Sequence, residues 1–287
     1  MLLLHVLTIP LVFSDANEID WEAPTLGFVR SVPAANVSKL SKRQYVAPKG
    51  NGPILVDIEP HSPAAVAGIR ALDQVDRFNG ERIETPEELQ ARIARLKDGE
   101  EVALEIVRPN VVKGKLTWNQ KKKGTLKSTT ERNSAMSAVR EMRDKVEDIT
   151  WVYHKDSPSP GSESDCELYF AIKDGKPGPL RLRVYFRGKS WVFMRRFVVR
   201  ADGVRFEIPA DPFPAQDILR DGILEKSDLP VSAKDFEALT AVGAAQDVVW
   251  RYEGPERQAD RNLESPDRAR IRQMIRAYRA FGGKPPE

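Results

Sequence analysis

Chemistry needs side chains that ionise, coordinate or attack, and this sequence holds few of them in usable company. The histidines are His5, His61 and His154, and Cys166 is the single cysteine. One cysteine makes no internal disulfide, and with three scattered histidines it supplies no zinc-ligand spacing. His154, Asp156 and Ser157 share one loop, too close along the chain to act as a triad assembled from separate elements. The sequence contains no Gly-x-Ser-Gly-Gly nucleophile segment and no His-Glu-x-x-His helix, and no glycine-rich loop follows a strand to cradle phosphate. A Ser–Lys dyad is open to any such chain, but no segment marks one. Cys166 begins a strand with no base beside it, which marks a structural thiol. The expectation is a protein that is not an enzyme and holds no cofactor or metal.

The residues with a mechanism attached are Leu26, Gly27 and Phe28. A glycine between two apolar residues lets the chain turn so that successive N–H groups aim at one point, and such a nest binds a carboxylate. An extended peptide then adds as a strand beside residues 28 to 31, with main-chain bonds for affinity and pockets for specificity. The candidate peptide-binding residues are Leu26, Gly27, Phe28, Val29 and Arg30, with Leu89 and Ile93 on the opposite wall. Both Leu89 and Ile93 lie on an amphipathic helix, so they face either the groove or the core. On this reading a bulky residue at Gly27 blocks binding without unfolding the domain.

The elements that must hold this edge are legible. Val29 to Val32 alternates as a short strand, and Ile54 to Ile58 is apolar and β-branched, a buried strand. Ser62-Pro63 through Gly68 has an N-cap, a proline at N1 and a terminating glycine, which predicts a short helix. Val75 to Phe78 enters an Asn79-Gly80 hairpin turn. Thr85-Pro86-Glu87-Glu88 opens a second helix with a capping box, and Leu89, Ile93 and Leu96 recur at helical spacing. Val102, Leu104 and Ile106 alternate as a closing strand.

Taken in order, these residues resemble a PDZ domain of the bacterial kind, such as those that follow the protease domain in the HtrA family. Leu26-Gly27-Phe28 matches the carboxylate loop, and Ser62-Pro63-Ala64 with Ala67-Gly68-Ile69 matches the Ser-Pro-Ala…Ala-Gly-Leu helix. Asp73 followed by Val75 matches Gly-Asp-x-Ile, and Asn79-Gly80 is the family's turn. Leu72 and His61 stand where glycine is usual, and the insertion between Ser31 and Gly52 is long enough to cover one end of a groove. The resemblance spans residues 22–108 and implies a partly open β-barrel with two helices. It also implies capture of C-terminal or extended peptide segments, the termini having an apolar last residue.

Residues 109–148 read as a basic β and helical connector. Between Val111 and Thr130 stand Lys113, Lys115, Lys121, Lys122, Lys123 and Lys127 with no acid among them. Such a run either touches an anionic surface weakly, through Lys113, Lys115, Lys121, Lys122 and Lys123, or blunts exposed β edges, the more economical reading. Nothing interleaves aromatics with these lysines, so specific nucleic-acid recognition is not expected. Ser134 to Val146 has the apolar spacing of an amphipathic helix.

Residues 149–283 read as a second domain, an antiparallel meander closed by a C-terminal helix, which makes the chain α+β. Strands are expected at 149–153, 167–173, 180–186, 191–200 and 204–208, with a helix at 232–242, a strand at 247–252 and a helix from Ser265-Pro266-Asp267. Thr150-Trp151, Ser157-Pro158, Leu168-Tyr169, Pro179-Leu180-Arg181-Leu182, Trp191-Val192-Phe193 and Asp202-Gly203 stand in an order that resembles an α+β domain of unassigned function from bacterial and phage-encoded chains. Arg268, Arg272, Arg276 and Arg279 share one side of the last helix, either a solvated face or an anion site.

The run Met1–Phe13 is apolar and uncharged, too short for a membrane span and of the length of a signal-peptide h-region, followed by Ser14-Asp15-Ala16. It lacks the basic n-region, and a buried N-terminal strand broken at Pro10 is the other reading. Residues 1–16 as a possible signal peptide imply export to the periplasm or cell envelope; otherwise the chain is cytoplasmic. The function expected is a non-catalytic peptide- or protein-binding module. The alternatives are an enzyme with its site in the C-terminal domain, or a membrane-associated envelope scaffold.

Overall fold

The computed structural model describes residues 20–39, 48, 50–113, 115–159 and 161–287. The run Met1–Phe13 and most of the insertion after Ser31 lie outside the described residues. Strands β1 (Pro24–Thr25), β2 (Phe28–Val32), β3 (Ile54–Ile58), β4 (Gln74–Phe78), β5 (Glu81–Arg82), β6 (Glu101–Val112) and β7 (Lys115–Lys127) come first, with helices α1 (Pro63–Val66) and α2 (Pro86–Ile93) between them. The sheet order is β2-β3-β4-β6-β7, with β5 on β4, and the pairings are antiparallel. Local chemistry sets the helix starts. The Ser62 hydroxyl accepts from the Ala65 N–H, and Thr85 Oγ1 accepts from the Glu88 N–H, 3.1 Å. Glu88 reaches back to the Glu84 N–H rather than to Thr85, so the predicted capping box is displaced by one residue.

The predicted connector is absorbed into this sheet. β6 and β7 form one long hairpin paired from Glu101↔Lys127 to Val112↔Lys115, and β7 is the sheet's outer strand. Lys115, Lys121, Lys122 and Lys123 stand exposed along it, and Lys123 pairs with Glu105 across the hairpin at 2.8 Å. The predicted helix over Ser134 to Val146 is instead two elements. After β8 (Thr129–Thr130), α3 spans Glu131–Ser137 and β9 spans Val139–Asp144. The apolar spacing over 134–146 fits both periods, and pairing decides: Val139–Asp144 lies beside the next strand in full register.

The C-terminal part continues with β10 (Ile149–His154), β11 (Asp165–Lys173), β12 (Lys176–Pro177), β13 (Arg181–Gly188), β14 (Arg196–Ala201), β15 (Val204–Pro209), β16 (Ala215–Leu219) and β17 (Gly222–Pro230). Helix α4 (Ala233–Ala244), β18 (Val248–Glu253), β19 (Gln258–Asn262) and α5 (Ser265–Ala280) complete it. The strands are antiparallel but not a simple meander. β13 pairs with β17 rather than with β14, giving one sheet ordered β16-β17-β13-β11-β10-β9, while β15-β14-β18-β19 form another. Two polar centres fix this arrangement. Asp228 of β17 accepts from the Tyr169 hydroxyl and from Arg181 and Arg183. The buried Glu225 accepts the N–H groups of Val192, Phe193 and Met194, so the strand expected at 191–200 begins only at Arg196, as β14. Both sheets and both helices share one core, with Phe170, Phe197 and Trp250 fully buried. Burial pushes the Cys166 thiol well above its usual value, in keeping with a structural role.

Candidate functional site

The Leu26-Gly27-Phe28 loop is fixed by its neighbours. The Leu26 carbonyl accepts from the Ala64 N–H at the start of α1, 3.0 Å, and the Gly27 carbonyl accepts from the Glu59 N–H, 2.8 Å. Gly27 has φ of 83°, and a Cβ built on it would lie 2.1 Å from the Ser62 Cβ. The glycine is therefore required by the packing of the loop on α1 as well as by its backbone angle. That overturns the expectation that a bulky residue here blocks binding while leaving the fold intact. The Gly27 N–H donates to Thr25 Oγ1, 3.1 Å, so a threonine hydroxyl satisfies it within the loop.

Of the other candidate residues, Leu26, Phe28, Leu89 and Ile93 meet in one apolar cluster. Leu26 and Leu89 are wholly buried, and Ile93 is 6% exposed. Open space borders the loop in another direction. A cavity of about 710 Å3 is lined by Gly27, Phe28, Val29 and Arg30 on one side and by α4 and α5 on the other, so it sits between the first sheet and the C-terminal part. Its volume lies in the range of ligand sites. β2 is the end strand of its sheet, so its outer edge borders this region with no strand paired to it among the described residues.

Helix α5 closes the far side. Its residues Arg268, Arg272, Arg276 and Arg279 recur at spacings of three and four, on one face, and all four line the cavity. Arg272 donates to Glu59 Oε2 from Nη2 at 2.9 Å and from Nε at 3.1 Å, and to the Gly243 carbonyl at 2.9 Å. Arg276 lies 3.5 Å from the other Glu59 oxygen and also pairs with Glu131. Glu59 is 2% exposed, so this is a buried clamp between α5 and the residue that bonds Gly27. The Arg30 guanidinium lies against the side-chain amide of Gln246 just beyond α4. Sequence reading missed Glu59, Phe236 and Gln246, because no local pattern distinguishes them from ordinary surface and helix residues.

A second polar cluster lies on the same joint. His61, His154 and Asp156 come within 4.8 Å of one another, and His61 Nε2 is 2.8 Å from Asp156 Oδ2. His154 Nδ1 accepts the Asp156 N–H, 3.0 Å, so its proton sits on Nε2 and is donated to Gln273 Oε1, 2.6 Å. Gln273 in turn donates to the Pro60 carbonyl, 2.8 Å. With both ring nitrogens engaged in these bonds, the cluster acts as a strap between β10, α5 and the segment before α1.

An antiparallel sheet with two short, capped helices and an edge strand after a glycine loop defines a small α+β domain organised around that edge. Residues 35–117 match the family model of the PDZ domain, so the chain carries a PDZ domain there, and the C-terminal part stays unassigned. The match begins downstream of Leu26-Gly27-Phe28. Among solved structures, the chain is similar to the PDZ domain of HtrA3 bound to a phage-derived ligand, with 19% identity and a TM-score of 0.27 over 37% of this chain and 84% of that one. It is also similar to a PDZ domain protein from Parabacteroides distasonis, with 15% identity and a TM-score of 0.25 over 89% of this chain and 62% of that one. No curated protein matches the chain. Among the described residues, no helix is long and apolar enough to cross a membrane.

Proposed function

We propose that the chain is a non-catalytic peptide-binding module. It captures a C-terminal or extended segment of a partner as a strand added beside β2, with an apolar last residue next to Phe28 and the terminal carboxylate at the Thr25–Phe28 loop. The PDZ domain supports this reading, and one observation carries it. The glycine loop and the edge of β2, unpaired among the described residues, border a cavity large enough for a peptide end. The carboxylate would take the Gly27 N–H from the Thr25 hydroxyl, exchanging a neutral acceptor for a charged and stronger one.

Amide hydrogen exchange on the full chain, with and without a peptide ending in a free apolar residue, tests the reading. Strand addition predicts slower exchange for amides within residues 27–32 on adding peptide. Protection confined to other strands, with residues 27–32 unchanged, would contradict it.

A further inference from the structure

The charges around the cavity do not cancel locally. Arg272 and Arg276 are committed to Asp57, Glu59 and Glu131. Three other guanidinium groups line the same space with no carboxylate partner among the described residues. Arg30 lies against the Gln246 side-chain amide, Arg268 donates to the Leu263 carbonyl, and Arg279 lies over the Phe236 ring, 5.7 Å from its centroid. Burial lowers the pKa of Arg279, the mark of a part-desolvated cation lacking a counter-charge. The remaining acid on the lining, Asp20, is exposed and accepts the Glu22 N–H. Phe28, Val29, Phe236 and Ile275 line the same cavity as these cations.

A part-buried guanidinium gains from a carboxylate that fits its fork of donors, and an apolar floor gains from an apolar side chain. A ligand that satisfies both carries anionic and apolar groups together. Because the cavity also borders β2, the ligand that uses the whole surface is a peptide rather than a small anion. Building on the peptide-binding reading above, we propose that the C-terminal part supplies half of the site. Arg30, Arg268 and Arg279 read acidic side chains upstream of the ligand's apolar last residue, so the preferred partner segment is acidic. The C-terminal part then contributes specificity rather than acting as a passive neighbour.

Two fluorescein-labelled decapeptides test this on the full chain. They share a free apolar C-terminal residue and differ only in having Asp and Glu, or Asn and Gln, at three upstream positions. At low salt the wild type should bind the acidic peptide about tenfold tighter or more, and the preference should shrink as salt rises from about 50 to about 500 mM. In the Arg268→Gln/Arg279→Gln variant the ratio of the two affinities should fall towards one. If that variant unfolds, Arg30→Gln is read by the same ratio. Equal binding of both peptides by the wild type would overturn this proposal and leave the peptide-binding reading standing. An undiminished preference in a folded variant would overturn the assignment to these arginines. Failure of both peptides to bind would overturn the two readings together.

Discussion

At Gly27 the positive φ and the contact with Ser62 act on the same atom, the Cβ that glycine lacks. Gly27→Ala should therefore lower stability by about 2 kcal/mol or more, from backbone strain and overpacking together, read as a lower urea midpoint. Unchanged stability would mean that the loop packs elsewhere. Its glycine character is legible in the sequence, but the partner that enforces it stands 35 positions away and is not. His154 poses a different case. Burial holds its ring neutral and lowers its pKa, against the opposing pull of the Gln273 bond and Asp156. The unfolded chain protonates this histidine near its ordinary pKa of about 6.5 while the folded chain resists. More protons on the unfolded state mean that stability rises with pH and is lost as pH falls. Melting temperature should drop as pH falls from about 6.5 towards the lower folded pKa, and His154→Gln should remove part of that drop.

At the scale of elements, the clamp on Glu59 joins α5 to the Gly27 loop through two bonds in series. The Glu59 side chain holds Arg272 and Arg276, and its N–H holds the Gly27 carbonyl. Removing one partner of a buried ion pair leaves charge without compensation, so Glu59→Gln should cost about 3 kcal/mol. Differential scanning calorimetry would check it, and a change within about 0.5 kcal/mol would place the clamp among ordinary surface pairs. Gly243 shows why α4 and α5 pack as closely as they do. A Cβ there would lie 3.1 Å from the Arg272 Cα. Helix and strand signals carried by caps and turns read well: Ser62, Thr85 and Asn79-Gly80 all sit where their chemistry places them. The failures share a cause. Residues 139–144 and 215–219 take their form from pairing with the strand that follows, residues 222–230 from pairing with the distant 181–188, and the Trp191–Arg195 segment from the buried Glu225 carboxylate. Neither kind of partner leaves a periodic trace in the local sequence.

For the whole molecule, the sequence reads as two domains with a connector, whereas in the structure the basic stretch lies within the first sheet and α5 is bonded to Glu59 and Pro60 beside the glycine loop. The PDZ domain was legible because residues that resemble the family's, such as Ser62-Pro63-Ala64, Asp73 and Asn79-Gly80, occur in chain order. The cavity was not, because it unites residues such as Glu59 and Arg272 that stand 213 positions apart. Arg268, Arg272, Arg276 and Arg279 were visible as one helix face, but what they face depends on the joint. The account rests on capture of a peptide's terminal carboxylate at the loop beside β2. The most direct measurement is a titration of the full chain with one apolar-ended peptide, as the free acid and as its C-terminal amide. Loss of the charged acceptor should weaken binding about tenfold or more; equal affinity for acid and amide would contradict the account.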